Sequence, residues 1–178
     1  AKLSAPPEES EEAMRAAVLT WIGLFGNHGL RPADIARLRD WTELPIAVKG
    51  VLHPDDARQV VDAGADAVVV SNHGGRQVDG AVGALDALPT IVATVGDRAD
   101  VLFDSGIRTG SDVMIALSLG AKAVLYGRPW AYGLGLAGAD GVRHALRCLL
   151  ADFDAAMGLS GCTSLHDLSR TMISTHRV

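Results

Sequence analysis

Apolar residues in this chain come in two alternating patterns: short continuous blocks, and longer stretches in which they recur at helical spacing. Ala67-Val-Val-Val70 is the clearest block, a largely β-branched run of the kind that forms a strand buried on both faces of a parallel sheet. Pro45-Ile-Ala-Val48, Val101-Leu-Phe103 and Ala123-Val-Leu-Tyr126 are blocks of the same type. Between them, Ala57, Val60 and Val61 form an inward stripe behind the helix start His53-Pro54-Asp55-Asp56, and Gly64 marks its end. Leu85, Leu88, Ile91, Val92 and Val95 repeat that spacing, with Pro89 read as the start of a second short helix. Thr109-x-x-Asp112 reads as a capping box ahead of Val113, Ala116 and Leu117. Two helical segments follow, from about Trp130 to Leu136 and from Gly141 to Met157.

Ahead of Leu44 the pattern is less regular. Residues 1–12 are polar and proline-bearing and read as an exposed linker, with a helix from about Glu11 to Leu19. Trp21–Phe25 is apolar and fits a strand or a packed loop. Gly26-Asn27-His28-Gly29 is a turn with His28 as a solvated loop residue. Arg31-Pro32 then opens a helix with Ile35, Leu38 and Trp41 on one face. The chain thus divides into a leader of loop and helices, 1–43, and a regular region, 44–178.

Four successive strand–helix units predict a parallel sheet with right-handed crossovers. Such a sheet closes either as an open doubly wound layer or as a (β/α)8 barrel. Every strand here ends on a chemically loaded residue: Lys49, Ser71 with His73, Asp104, and Arg128. That distribution favours the barrel, whose active face collects the strand ends, over the open sheet, which concentrates its site at one switch point. Four units are half of it. The fold class read from the sequence is therefore α/β, a (β/α)8 TIM barrel of which this chain supplies about the C-terminal half.

Composition narrows the function. The chain has 178 residues, 48% of them hydrophobic, enough apolar material for a core. A net charge of −5 without a basic run argues against nucleic acid. No apolar run has membrane length and the start lacks a signal-peptide core. Cys148 and Cys162 build no disulfide framework, so a cytoplasmic location is expected, with Cys148 in the core and Cys162 in a loop. The six histidines show no ligand spacing, and no metal is expected.

The strand-end residues carry the chemistry. Ser71-Asn72-His73-Gly74-Gly75-Arg76 places a general base beside a carboxylate-binding guanidinium fork, with glycines that let the backbone turn. Gly106-Ile107-Arg108 and Gly127-Arg128, the latter just before a helix, combine freed amides with guanidinium groups and suit a phosphate monoester. Lys49 at the end of a buried strand suits an anion developing on a cofactor, and Asp104 can accept from sugar hydroxyls.

Four co-ordered segments resemble one known family. Leu44-Pro-Ile-Ala-Val-Lys-Gly50, Ser71-Asn-His-Gly-Gly-Arg-Gln-Val-Asp79, Leu102-Phe-Asp-Ser-Gly-Ile-Arg108 and Tyr126-Gly-Arg-Pro129 are similar to the FMN-dependent 2-hydroxy-acid oxidases and dehydrogenases. Met157-Gly-Leu-Ser-Gly-Cys162 fits that family's C-terminal helix and loop, and the resemblance runs from about Ala13 to Ile173. Gly80-Ala-x-Gly-Ala-Leu85 and Asp104-Ser-Gly resemble its lactate 2-monooxygenase branch most.

The resemblance implies FMN as cofactor, held by Lys49, Ser71, Asp104, Ser105, Gly106, Ile107, Arg108, Gly127 and Arg128. It implies His73 as base, Arg76 on the substrate carboxylate, and Lys49 near the anionic reduced flavin. The implied substrates are a short 2-hydroxy acid and O2. Lactate would give acetate, carbon dioxide and water; the alternatives are an oxidase releasing a 2-oxo acid and hydrogen peroxide, or a non-catalytic phosphate-binding half-barrel. Contacts that the family draws from its first four strands lie outside this chain, among them a histidine-orienting aspartate whose role is not assigned to the nearby Asp79. A complementary N-terminal half-barrel or self-association is therefore expected, with the full enzyme a homo-oligomer.

Overall fold

A computed structural model of the chain describes residues 10–24, 26 and 29–174. It divides into two units, Ala1–Arg31 and Pro32–Val178. The first contains α1 (Glu11–Leu24), with Glu11 and Glu12 in its first turn and the Ser10 hydroxyl accepting from the Ala13 amide at 3.2 Å. α1 runs through the segment expected to leave the helix at Leu19. The acidic first turn and the helix-forming Ala16-Ala17 stretch carry it on, and Trp21 and Ile22 simply extend the helical spacing of Met14 and Val18. No residue of α1 is buried. His28 and Phe25 lie outside the described residues.

In the second unit, α2 (Asp34–Arg39) precedes β1 (Ala47–Val51), α3 (Pro54–Asp62), β2 (Ala67–Val70), α4 (Ala84–Val95), β3 (Asp100–Phe103), α5 (Gly110–Ser118), β4 (Ala123–Val124) and α6 (Arg128–Leu159). The four strands form one parallel sheet in the order β1-β2-β3-β4. All their C-terminal ends therefore open on the same edge. This establishes an α/β protein with a four-stranded parallel sheet. The second unit begins at Pro32 and includes α2. Ile35 is buried, and Arg39 donates to the carbonyls of Leu44 and Gly64 and, at 2.5 Å, to Asp66. The Ile46 amide, then Arg39, hold the Asp66 carboxyl below its ordinary value. Leu38 and Trp41, expected beside Ile35 on an inward face, are exposed: Ile35 is the one buried residue of α2, and the helix ends at Arg39, before Trp41.

The core lies between the sheet and its helices. Val68, Val70, Val101 and Phe103 pack with Ala57, Val60, Leu88, Ile91, Val95, Val113 and Ala116. α4 is one helix, with Pro89 inside it, not two. A proline in a helix interior costs about 3 kcal/mol through its missing donor and its ring clash. Leu88, Ile91 and Val95 are fully buried, and at roughly 1.5–3 kcal/mol each their burial outweighs that cost. β4 stops at Val124 instead of Tyr126: the Leu125 amide still donates to the Phe103 carbonyl at 2.8 Å, and the chain then turns into α6 at Arg128. α6 is broken at Ala137–Gly138, where the backbone leaves helical geometry, so its halves match the two segments read from the sequence. Cys148 is exposed and Cys162 buried, the reverse of the expectation for Cys148. On α6 it is the neighbouring Leu149 that turns into the core. Among the described residues, no helix is long and apolar enough to cross a membrane.

The start of α5 is the tightest joint. Thr109 and Asp112 form the expected capping box, and the Gly110 amide donates to Asp152 of α6 at 2.6 Å. A Cβ on Gly110 would lie 2.1 Å from the Phe153 backbone nitrogen. Neither main chain can yield cheaply. Gly110→Ala is expected to destabilise the fold by about 1–3 kcal/mol or more, as overpacking does, measured by urea unfolding against a Thr109→Ser control.

Candidate active site at the strand ends

The site begins with a bulge. Between Lys49 and Val51 the β1–β2 register slips, so that Lys49 pairs with Val69 but Val51 with Val70. Gly50 supplies the extra residue at φ +94°, a backbone state that glycine adopts without a Cβ penalty. The Lys49 side chain reaches across the strand tips, with Nζ 2.7 Å from Asp104 Oδ2 and donating to Ser71 Oγ at 2.9 Å. Three consecutive strands are joined by this one ammonium group.

Asp104 is the hub. Burial alone would raise its pKa, but hydrogen bonds from Lys49, Ser71 and Ser105 and the Lys49 charge outweigh burial and hold it below the ordinary value. Ser105 Oγ donates to Asp104 Oδ1 at 2.8 Å and accepts from the amides of Asn72 at 3.2 Å and Gly74 at 3.0 Å. Ser71 Oγ accepts from the His73 amide at 3.0 Å. Three successive amides of the His73 loop thus end on serine hydroxyls. The loop itself is left-handed at His73 (φ 57°), Gly74 (φ 68°) and Gly75 (φ 72°). Asn72 closes it by accepting from the Gly75 amide at 3.2 Å.

The strand ends surround a cavity of about 310 Å³. Of the residues singled out from the sequence, Lys49, His73, Arg76, Asp104, Ser105, Gly106, Ile107, Arg108, Gly127 and Arg128 line it. Ser71 does not line it; it is buried beneath and bonded to Lys49. His73, Arg76, Arg108 and Arg128 are exposed to the opening. Arg128 begins α6, Pro129 follows it, and Gly127 offers no side-chain cap, so the helix N-terminus faces the cavity with unclaimed amides. Arg128 Nη2 also lies 3.5 Å from the Gly74 carbonyl, linking the fourth strand end to the base-bearing loop.

Five cavity residues were not among the candidates read from the sequence: Gly74, Leu125, Tyr126, Pro129 and Trp130. Burial, then the neighbouring Cys148, pushes the Tyr126 phenol up, so it stays protonated and able to donate. Its signal was its place at the end of a strand, two residues before Arg128. Asn72 was also missed as the loop's own clasp.

A parallel α/β sheet whose strand ends gather a histidine, a lysine, an aspartate and three arginines around one cavity has the donor set of a site for anionic groups. Comparison with known families makes the class specific. Residues 2–175 match the family described as FMN-dependent dehydrogenase, and the chain belongs to that family, whose cofactor is FMN. It is 48% identical over 160 residues to the FMN-dependent alpha-hydroxy acid dehydrogenase qulF of Penicillium citrinum, covering 90% of this chain and 40% of that protein. With the L-lactate oxidase of Nostoc it shares 48% identity over 158 residues, 89% of this chain and 43% of the relative. A solved structure of mandelate oxidase with (S)-4-hydroxymandelic acid superposes with a TM-score of 0.76 at 49% identity, over 79% of this chain and 40% of that one. The chain spans about two fifths of the length of these relatives.

The residues fit FMN. Arg108, Arg128 and the uncapped α6 N-terminus would hold its phosphate, and a Cβ on Gly127 would meet nothing within 4 Å, leaving room there.

Because the folded-state pKa of Asp104 is lowered, the stability it lends is complete above the ordinary carboxylate value of about 4 and drains as pH falls towards the folded value. Asp104→Asn is expected to be less stable at neutral pH and to lose less on acidification below pH ~4. Thermal unfolding of both proteins across that range measures the difference in slope.

Proposed function

We propose that this chain is the base-bearing and phosphate-binding half of a (β/α)8 enzyme that oxidises a short 2-hydroxy acid with FMN. The observation that carries the reading is the convergence of His73, Arg76, Lys49, Arg108 and Arg128 on one cavity at the strand ends. Arg76 grips the substrate carboxylate with two parallel N–H donors, a geometry lysine lacks. His73, as neutral imidazole, takes the proton removed from the 2-hydroxy acid. Bound FMN supplies the two-electron acceptor. Lys49 places a positive charge at the mouth of the site, held in position by Asp104 and Ser71. Arg108 and Arg128 bind phosphate from different strand ends than the one carrying the base, so grip and chemistry are separable.

Lactate is the substrate proposed, with O2 as the oxidant that oxidatively decarboxylates the retained oxo acid before release, so that lactate and O2 give acetate, carbon dioxide and water. The resemblance of Gly80–Leu85 and Asp104-Ser105-Gly106 to lactate 2-monooxygenase supports it. A second reading, release of the oxo acid with hydrogen peroxide, is supported by the oxidases among the relatives, such as the 4-hydroxymandelate oxidase of Amycolatopsis orientalis, 52% identical over 132 residues. Product analysis of lactate turnover in air separates them: acetate supports the monooxygenase, pyruvate with peroxide the oxidase.

In the complete enzyme, His73→Ala is expected to keep FMN and to slow its reduction by lactate by on the order of 10²–10⁴-fold. Arg128→Ala is expected to weaken FMN retention by about 1.5–3 kcal/mol, the worth of one charged hydrogen-bonding partner. Stopped-flow absorbance reads the first and flavin titration the second; near-normal reduction in His73→Ala overturns the assignment of the base.

The partner proposed is the complementary half-barrel. β1 and β4 each pair on one side only, and Leu85, Leu125, Tyr132, Leu134 and Leu136 are exposed. The 178-residue chain alone is expected to self-associate, and a monodisperse, folded monomer in sedimentation velocity counts against this partner.

A further inference from the structure

Ser105 stands in the left-handed region at φ +81°, a conformation uncommon outside glycine. Such an outlier persists only where its surroundings over-determine it, and it points to a functional constraint. The constraint here is the hydroxyl. A serine oxygen has two acceptor lone pairs and one proton to give. Ser105 Oγ uses all three: it accepts from Asn72 N and Gly74 N and donates to Asp104 Oδ1. Nothing remains for a ligand. The two amides flank His73, whose own amide goes to Ser71 Oγ, and His73 is itself left-handed at φ +57°. Asn72 ties the loop only to its own neighbourhood, through Gly75 N and the Val82 carbonyl.

We propose that Ser105 is a positioning residue for the base: its hydroxyl fixes the backbone on both sides of His73 to the third strand's Asp104, and so sets where the imidazole stands in the cavity. The hydroxyl therefore serves the His73 loop, not the cofactor. This inference rests on the reading of His73 as the base. A misplacement of about 1 Å at a reacting group can cost on the order of 10²-fold in rate, so a loop held by two amides on one oxygen has a large lever on catalysis.

Two variants separate the hydroxyl from the backbone conformation. Ser105→Gly removes the oxygen and adopts the left-handed state without strain, while Ser105→Ala removes the oxygen and keeps the strain. In the complete FMN-loaded enzyme, both are expected to slow flavin reduction at saturating substrate by roughly 10- to 100-fold. FMN stoichiometry and the substrate dissociation constant should stay near the parent's. Hydrogen exchange in the peptide covering residues 71–76 should accelerate in both, a change that a cofactor-binding role for Ser105 does not produce. A Ser105→Gly enzyme that reduces flavin at the parental rate overturns the proposal, as does loss of FMN without faster exchange. His73→Ala, measured alongside, keeps the two readings apart. If it reduces flavin normally, the base is misassigned; if it is inactive while Ser105→Gly is normal, only the positioning role fails.

Discussion

The contact between Lys49 and Asp104 is the constraint on which the strand-end geometry depends. Lys49 comes from β1 and Asp104 from the end of β3, so the pair reaches across the intervening β2, with the lysine side chain 42% exposed and the aspartate 16%. At 2.7 Å the pair neutralises itself locally, and the aspartate keeps a second oxygen for Ser105. That second oxygen lets a charge pair organise a loop. Without an ionised Asp104, Ser105 would lose the acceptor that orients its proton, and its lone pairs would no longer point reliably at the Asn72 and Gly74 amides. Lys49 would lose the partner that keeps it over the strand tips. The acid that looks like a ligand contact in the sequence acts in the structure as the joint between three strand ends.

That joint explains how an exposed histidine can be precise. His73 is exposed, and its backbone amide is held by Ser71 Oγ. A left-handed run over His73, Gly74 and Gly75 is held from Ser71 on one side and Ser105 on the other. Arg128, arriving from the start of α6, adds its contact with the Gly74 carbonyl. The same guanidinium can therefore report on the phosphate end of the cavity while touching the base-bearing loop. α6 in turn props the loop that carries Arg108, because Asp152 receives the Gly110 amide.

Elements with strong local signals were legible in the sequence. β2 runs from Ala67 to Val70 as its β-branched block implied, and the α5 capping box formed as spaced. The stripe Ala57, Val60 and Val61 is buried. What failed was decided by interactions distant in sequence. Pro89 ends a helix only if nothing holds it, and the burial of Leu88 and Ile91 is a tertiary fact. The β1 bulge follows from pairing with β2, which no reading of Lys49-Gly50 alone reveals. Trp41 looked like core by its period, but α2 ends before reaching it. The candidate site was legible as a list, because chemistry-bearing residues at strand ends are conspicuous. Its wiring was not, since a serine hydroxyl shared between two loops leaves no periodicity to find.

The two faces of the sheet divide the labour. Towards the helices, Val68, Val70, Val101 and Phe103 find their partners within the chain. The alternating positions form another row, in which Lys49, Val69, Leu102 and Ala123 stand in register across the four strands, and none of them belongs to that core. Lys49 is the member of this row that lines the cavity, and Val69 beside it is already buried. The sheet's unpaired edges and this row are what a complementary half would have to satisfy. The loop of His73, by contrast, is held by groups from β1, β2, β3 and α6, all within this chain. The relative placement of His73 and Arg128 at the cavity is thus set by contacts inside this chain, the Arg128 guanidinium meeting the Gly74 carbonyl of the His73 loop.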